Sequence, residues 1–472
     1  MGNSSSRGAN DRRWSQPMGR GEGANARYAT RLTRRGVNVA AMTAAAIGID
    51  FGTTNSAVAS ASSTGVTLAR FGPPEARAGT FRSVLCFDPD DRAKGGRPRP
   101  VAGPRAIERY LQLGGEGRFL QSLKSYLPSR LFQSTAIYGH RFSLEELIGA
   151  LVADLKAAAG ESVGAFPGVV VVGRPVRFVG AEKPEDDAYA EDRLRRALGL
   201  AGLPEVVFEY EPVGAAFHYE AQLDRDELVL IADFGGGTSD FCLARVGPKV
   251  RARGRTREDL LGTAGVGIAG DVFDGQIVRH VVAPHLGKGS TRRAMEKEVA
   301  LPAWIFGYLE RWHYLSFLKT PDTLDFVREA ARTSNAPARL AALLHVVESD
   351  LGLALYRAVE RTKIELSEKE ATTFVFDDAP VSIEARVTRR DFESWIAPEV
   401  QAIATCVDGL LAQTRTAPGD VDRVFLTGGT ALVPAVRRVF AERFGAGHLR
   451  GGDELTSVAS GLALRARELA AR

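Results

Sequence analysis

Ile47-Gly48-Ile49-Asp50-Phe51-Gly52-Thr53-Thr54-Asn55-Ser56 has a counterpart 183 positions on, Leu230-Ile231-Ala232-Asp233-Phe234-Gly235-Gly236-Gly237-Thr238-Ser239-Asp240. In each copy an apolar run suited to a buried strand delivers one aspartate to its end. Glycines then let the backbone fold back with N–H groups facing an anion. Hydroxyls follow, and a second apolar stretch, 57–59 in one copy and 241–244 in the other, completes a hairpin. An isolated carboxylate is costly in an apolar setting. Beside Mg2+, which prefers carboxylate, water and phosphate oxygens, it has a purpose. The doubled Asp-Phe-Gly-(x)-Thr frame therefore reads as two phosphate loops. The bland alternative is a pair of unrelated Gly-rich hairpins, since one such turn alone is common.

The 472 residues are too many for one ordinary core, and two or three packed units are expected. With 44% hydrophobic and 25% charged residues the composition is that of a soluble globular protein. No uninterrupted apolar stretch approaches the roughly 18 residues of a membrane helix. The net charge of +4 is unevenly spread: residues 1–41 carry +6, leaving −2 for the rest. That basic segment is rich in Gly, Ser, Arg and Asn with little aromatic interleaving, so residues 1–43 read as a disordered extension and nucleic-acid binding is not expected. Its start, Met1-Gly2-Asn3-Ser4-Ser5-Ser6, fits a myristoylation pattern. Its Arg-rich, acid-poor composition also fits a transit peptide, and Met42 offers a different initiator. Cys86, Cys242 and Cys406 lie far apart with no C-x-x-C, which points to a reducing cytoplasm rather than a disulfide framework or a zinc site.

Along the chain, strand and helix signals alternate. Loops rich in Gly, Pro and Arg are expected to about residue 105. A helix from Ser143 to Ala159 opens on a capping box, residues 169–172 read as a strand buried on both faces, 186–200 as a charged helix and 206–208 as a strand. The pattern restarts at Val229. This predicts an α/β fold of two lobes on one plan, 44–228 and 229–455, with a helix over 456–472 completing the first. Residues 275–385 read as a helical insertion in the second lobe, with Trp304, Phe306, Trp312 and Phe317 clustered.

Other segments carry candidate chemistry. Glu211-Pro212-Val213-Gly214-Ala215-Ala216 opens a small-residue helix, either an ordinary Pro-led start or a close interlobe contact aiming Glu211 into a cleft. Lys124, in an apolar and hydroxyl patch, could stabilise charge on a transferring phosphoryl group. Gly265-Val266-Gly267-Ile268-Ala269-Gly270 matches the dinucleotide fingerprint, but residues 255–262 look too charged for the strand that must precede it. Glu360, Lys363 and Ser367 share one helix face. The seven histidines offer no metal pair and no triad.

Taken in order, these loops, Glu-Pro-Val-Gly-Ala-Ala, Glu360-Arg361-Thr362-Lys363-Ile364-Glu365-Leu366-Ser367, Val387-Thr388-Arg389-Arg390-Asp391-Phe392-Glu393 and Leu426-Thr427-Gly428-Gly429 resemble the ATPase domain of DnaK-type heat-shock chaperones, within the actin-like ATPase superfamily. Gln121-Ser122-Leu123-Lys124-Ser125 and the run 451–463 resemble its YegD-like branch. The resemblance implies ATP or ADP with Mg2+ and K+, and a cytoplasmic chaperone-like ATPase. It puts Gly52, Thr53, Thr54, Asn55, Gly235, Gly236 and Gly237 on phosphates, and Asp50 and Asp233 on the metal shell. Lys124, Glu211 and Thr238 fall near the attacking water, and Asp271, Glu360, Lys363, Ser367, Gly428, Gly429 and Leu432 around the nucleoside.

Two positions depart from the pattern: Leu432 stands where most relatives place an arginine against adenine, and Asp271 where glutamate is usual. The peptide-gripping β-sandwich and lid are not expected in this sequence, so the resemblance implies a switch that needs an unidentified protein partner or client. A metabolite kinase and a filament-forming ATPase on the same superfamily fold are the competing readings.

Overall fold

The apolar run before each quoted aspartate becomes the central strand of a sheet. The structure, a computed structural model, describes residues 46–73, 75, 77–114, 116–166, 169–203, 205–452 and 455–471. The expected N-terminal extension, 1–43, lies outside them, as do the side chains of Trp312 and Phe317.

Ala46–Asp50 (β1) pairs antiparallel with Asn55–Ser62 (β2), Asp50 opposite Ala57, and Gly65–Leu68 (β3) extends this side. On the other side Val170–Arg174 (β4) runs parallel to β1, and Val207–Tyr210 (β5) parallel to β4. The path is β5-β4-β1-β2-β3, with Phe81–Arg82 also pairing on β2. The second sheet repeats the plan. Glu227–Phe234 (β6) is flanked on one side by antiparallel Ser239–Val246 (β7) and Leu260–Val266 (β8), and on the other by parallel Arg423–Thr427 (β9) and Leu449–Gly451 (β10). β6 is buried at every position, as its Leu-Val-Leu-Ile run requires of a strand covered on both faces. The chain thus has the actin-like ATPase fold, α/β throughout.

Helices position the loops. Leu144–Val163 (α1) starts on the expected capping box: Ser143 Oγ accepts from Glu146 N–H at 3.1 Å while Glu146 accepts from Ser143 N–H at 2.8 Å. Pro184–Leu200 (α2) packs on it. Glu211–Glu220 (α3) begins directly after β5 with Pro212 in its first turn. Gly270–Ile277 (α4) and Gly352–Glu368 (α5) border the cleft from the second half. Ser457–Ala470 (α6) closes the fold. Its Gly461 sits so near α3 that an added Cβ would lie 1.7 Å from the Gly214 carbonyl oxygen, and one on Gly48 of β1 would lie 2.2 Å from the Ala463 nitrogen. Val171, Ile231, Phe425 and Leu462 share one apolar cluster, in which α6 packs on the first sheet and on α3, and α3 in turn packs on β6 and β7 of the second.

Three expectations are corrected. The stretch to residue 105 is not all loop: Val84–Arg92 pairs with Pro98–Ala102 and with Arg118–Gln121. Pro98 and Pro100 masked the strand, and both are tolerated because it lies at the sheet edge. The 275–385 region mixes helices with two hairpins, Thr291–Ala294 with Lys297–Ala300 and Ala371–Asp378 with Val381–Thr388. In the latter, Phe374 and Phe376 are buried while Val375 is half exposed, a period of two. Finally, a strand does precede Gly267: β8 spans Leu260–Val266, although its antiparallel edge position still excludes a βαβ dinucleotide unit.

Candidate functional site

The two glycine loops face each other. A Cβ added to Gly236 would fall 2.6 Å from Thr54 Oγ1, and one on Gly237 would lie 3.5 Å from Thr53 Oγ1. Gly52 is as constrained within its own loop, with the Asn55 carbonyl oxygen 1.9 Å from where its Cβ would stand. Neither loop therefore has room for side chains on its inner surface. Gly235 N–H donates to Thr238 O at 2.9 Å, closing the second loop, and Asp271 N–H donates to Gly236 O at 2.8 Å, tying it to the start of α4. Thr54 Oγ1 is buried beside the Asp271 carboxylate without completing a well-formed hydrogen bond.

Beneath the loops lies a charged centre. The 3-10 turn Leu123–Tyr126, entered through Ser122 at φ 53°, carries Lys124 inward, where Nζ donates to Glu211 Oε1 at 2.6 Å. Both side chains are buried. Asp50, Asp233 and Asp240 complete the electrostatic neighbourhood, the last two directly opposite each other across β6 and β7. Burial, then the Glu211 charge, pushes the Asp50 and Asp240 carboxyls up to about 7, and Asp233 is raised well above its ordinary value for the same reasons. Burial alone would discharge Lys124, but Glu211 and Asp50 outweigh it and keep its pKa above the ordinary lysine value. Four carboxylates thus surround one ammonium. Among the described residues no three His, Cys, Asp or Glu side chains stand close enough to hold a metal ion by themselves.

Above the loops a cleft of about 1030 Å³ opens, lined by Thr54, Gly237, Asp271 and Glu360 among others. Arg82 crosses it, donating to Asn55 Oδ1 at 3.3 Å and standing 3.7 Å from Glu360. Not every expected residue faces this space. Lys363 is engaged by Asp274 at 2.9 Å, and Ser367 Oγ donates to the Lys363 carbonyl of its own helix at 3.1 Å. Gly428, at φ 84°, turns the chain after β9, with Phe234 O 1.9 Å from where a Cβ would stand, so only glycine fits there. Gly429 opens the short turn that ends at Leu432, which is half exposed. Sequence reasoning assigned no role to Arg82, Asp240 or Asp274. Asp274 follows Asp271 at helical spacing, and Asp240 closes the quoted loop, so both had a local signal; Arg82 had none.

The Hsp70 protein family model matches residues 348–471. Chaperone protein DnaK of Thermosipho africanus is 25% identical over 435 residues, 90% of this chain and 59% of that protein. Those of Cenarchaeum symbiosum and Deinococcus deserti are each 24% identical, over 89% and 90% of this chain. The chain is similar to these chaperones over nine-tenths of its length. It spans 59% of the length of the Thermosipho relative and 54% of the Cenarchaeum one. Both glycine loops lie outside the family-model match.

Proposed function

We propose that this DnaK-type domain binds ATP between its two sheets, hydrolyses it to ADP and phosphate with Mg2+, and acts as a nucleotide-driven switch read by a protein partner or client. The observation that carries the reading is the convergence of Gly236 and Gly237 on Thr54 and Thr53, in loops that follow Asp50 and Asp233, both electrostatic neighbours of the Lys124–Glu211 pair. Backbone N–H groups of residues 52–55, 236 and 237 would hold the phosphates, with Gly235 closing the second loop. Lys124 is the fixed cation for the transferring phosphoryl group, worth several kcal/mol in such a role. Glu211 positions that cation, and Thr238 stands beside the attacking water. Glu360, Asp271 and the 428–432 turn would border the nucleoside, with Lys363 and Ser367 in supporting positions behind them. The lobes of this switch are 44–228 with 456–472, and 229–455.

The donor set fits Mg2+. An excess of buried carboxylate over ammonium calls for a cation, and the lack of a three-ligand chelate among the described residues suits an ion that keeps its waters and shares phosphate oxygens. Asp50 and Asp233 would hold it, with K+ nearby; when bound, the ion neutralises phosphate charge. The three cysteines are free thiols, in keeping with a cytoplasmic setting, and no helix among the described residues is long and apolar enough to cross a membrane. Calorimetric titration with ATP and ADP tests the reading. Binding that needs Mg2+ and is abolished by a chelator is expected; absence of any nucleotide binding would refute it. Assays of ADP and of free phosphate, with and without sugars, separate the ATPase from a metabolite kinase, since a kinase forms ADP only with its acceptor and passes the phosphoryl group to it rather than to water.

A further inference from the structure

On the far side of the turn that carries Lys124 lies a second cavity, of about 280 Å³, walled by Tyr110, Arg118, Tyr126 and Tyr138 from one half and by Lys319 and Asp350 from the other. Most of its polar groups are satisfied. Lys319 pairs with Asp350, and Tyr110 Oη donates to the Asp350 carbonyl at 2.6 Å. Tyr138 Oη accepts from Arg118 N–H at 2.9 Å and donates to the Phe87 carbonyl at 3.3 Å. The Arg118 guanidinium is different. It is half-buried, burial works against its charge, and Asp350, Tyr138 and Tyr126 are its electrostatic neighbours, yet among the described residues no carboxylate stands within ion-pair distance of it. A guanidinium cannot shed its charge, so a buried one without an anion is costly. Its planar fork matches a carboxylate.

Glu116, Gln121 and Thr135 add polar groups to the lining, and the remaining walls are aromatic and aliphatic. We propose that this cavity binds a small aryl carboxylate, its carboxylate on Arg118 and its ring among the tyrosines, and that its occupancy is felt at the nucleotide site. The coupling has a short physical route. Leu123 and Tyr126 line the cavity, Lys124 projects from the same four-residue turn to Glu211, and Tyr126 also lines the large cleft. A ligand that fixes this turn changes the setting of the lysine, and the effect is reciprocal.

Phenylacetate is the probe. Titrated into the nucleotide-free protein it should show one saturable site with Kd below about 1 mM. Arg118→Gln should weaken that binding by about tenfold or more, Arg118→Lys should keep most of it, and neutral 2-phenylethanol should not compete. Retention of binding in Arg118→Lys shows that the pocket survives substitution. No saturable binding to the wild-type protein, equal affinity in Arg118→Gln, or competition by 2-phenylethanol would overturn the assignment. The coupling rests on the nucleotide reading and is measured separately: ADP affinity should change by about threefold or more with phenylacetate bound. An ADP affinity unmoved by bound phenylacetate overturns the coupling. Failure of ADP to bind at all overturns the nucleotide reading and leaves the phenylacetate titration to stand or fall alone.

Discussion

Lys124 is the single buried ammonium among Glu211, Asp50, Asp233 and Asp240, and the imbalance makes this site sensitive to pH. Asp50 and Asp240 hold their protons to about 7, against an ordinary 3.8. A carboxyl whose folded pKa is raised favours the native state while protonated. Its contribution is complete below about pH 4 and is lost as pH rises through 7. Asp240→Asn keeps the acceptor that Val176 N–H uses at 2.7 Å but removes the titration. Without nucleotide or Mg2+, the fall in melting temperature from pH 5 to pH 8 should be smaller in Asp240→Asn, by about 2 °C or more. Asp259, whose Arg253 partner lowers it to about 2, contributes stability that is lost only below about pH 4 and adds no slope in this range. Identical slopes would remove Asp240 from the titrating set. At the nucleoside end, a guanidinium stacked on a base is worth about 0.5 to 2 kcal/mol, so Leu432→Arg should tighten ATP binding roughly two- to thirtyfold by calorimetry. Unchanged or weaker affinity would mean that position 432 does not face the base.

At the scale of elements, contact between α3 and α6 is set by glycine. Gly461→Ala would drive a methyl group into the Gly214 carbonyl, a backbone atom that cannot step aside, and should cost about 3 kcal/mol or more by denaturant unfolding. A cost below about 1 kcal/mol would show that the helices separate freely. The elements legible in the sequence share one property: a local signal that tertiary context did not override. The capping box of α1, the Pro-led start of α3 and the two central hairpins each declared themselves within a dozen residues. The misread elements depended on neighbours far along the chain. Strand 98–102 carries two prolines that only an edge position permits, β8 is uncharged but follows directly on the charged turn Arg257–Asp259, and the 371–388 hairpin alternates cleanly but sits beside long helices. Within the site, the sequence grouped Glu360, Lys363 and Ser367 on one face. It carried no sign that Asp274 would occupy Lys363 or that Arg82 would reach Asn55 from a separate strand.

The whole molecule is one plan used twice. Each sheet sets a central aspartate-tipped strand between an antiparallel pair and a parallel pair, and α3 and α6 pack between the sheets, α6 on the first and α3 on the second, so the two tips meet across a single cleft. Duplication explains why two loops with the same frame, 183 residues apart, end within touching distance of each other. It also explains why the charged centre draws on both halves: Asp50, Lys124 and Glu211 come from the first, Asp233 and Asp240 from the second. Hydrolysis should therefore depend on a group that neither loop supplies. The most direct measurement is single-turnover ATP hydrolysis by Lys124→Ala, with ADP affinity determined on the same preparation. A rate about a hundredfold or more below wild type with ADP affinity preserved is the expected result. A wild-type rate in Lys124→Ala would contradict the assignment of the catalytic centre.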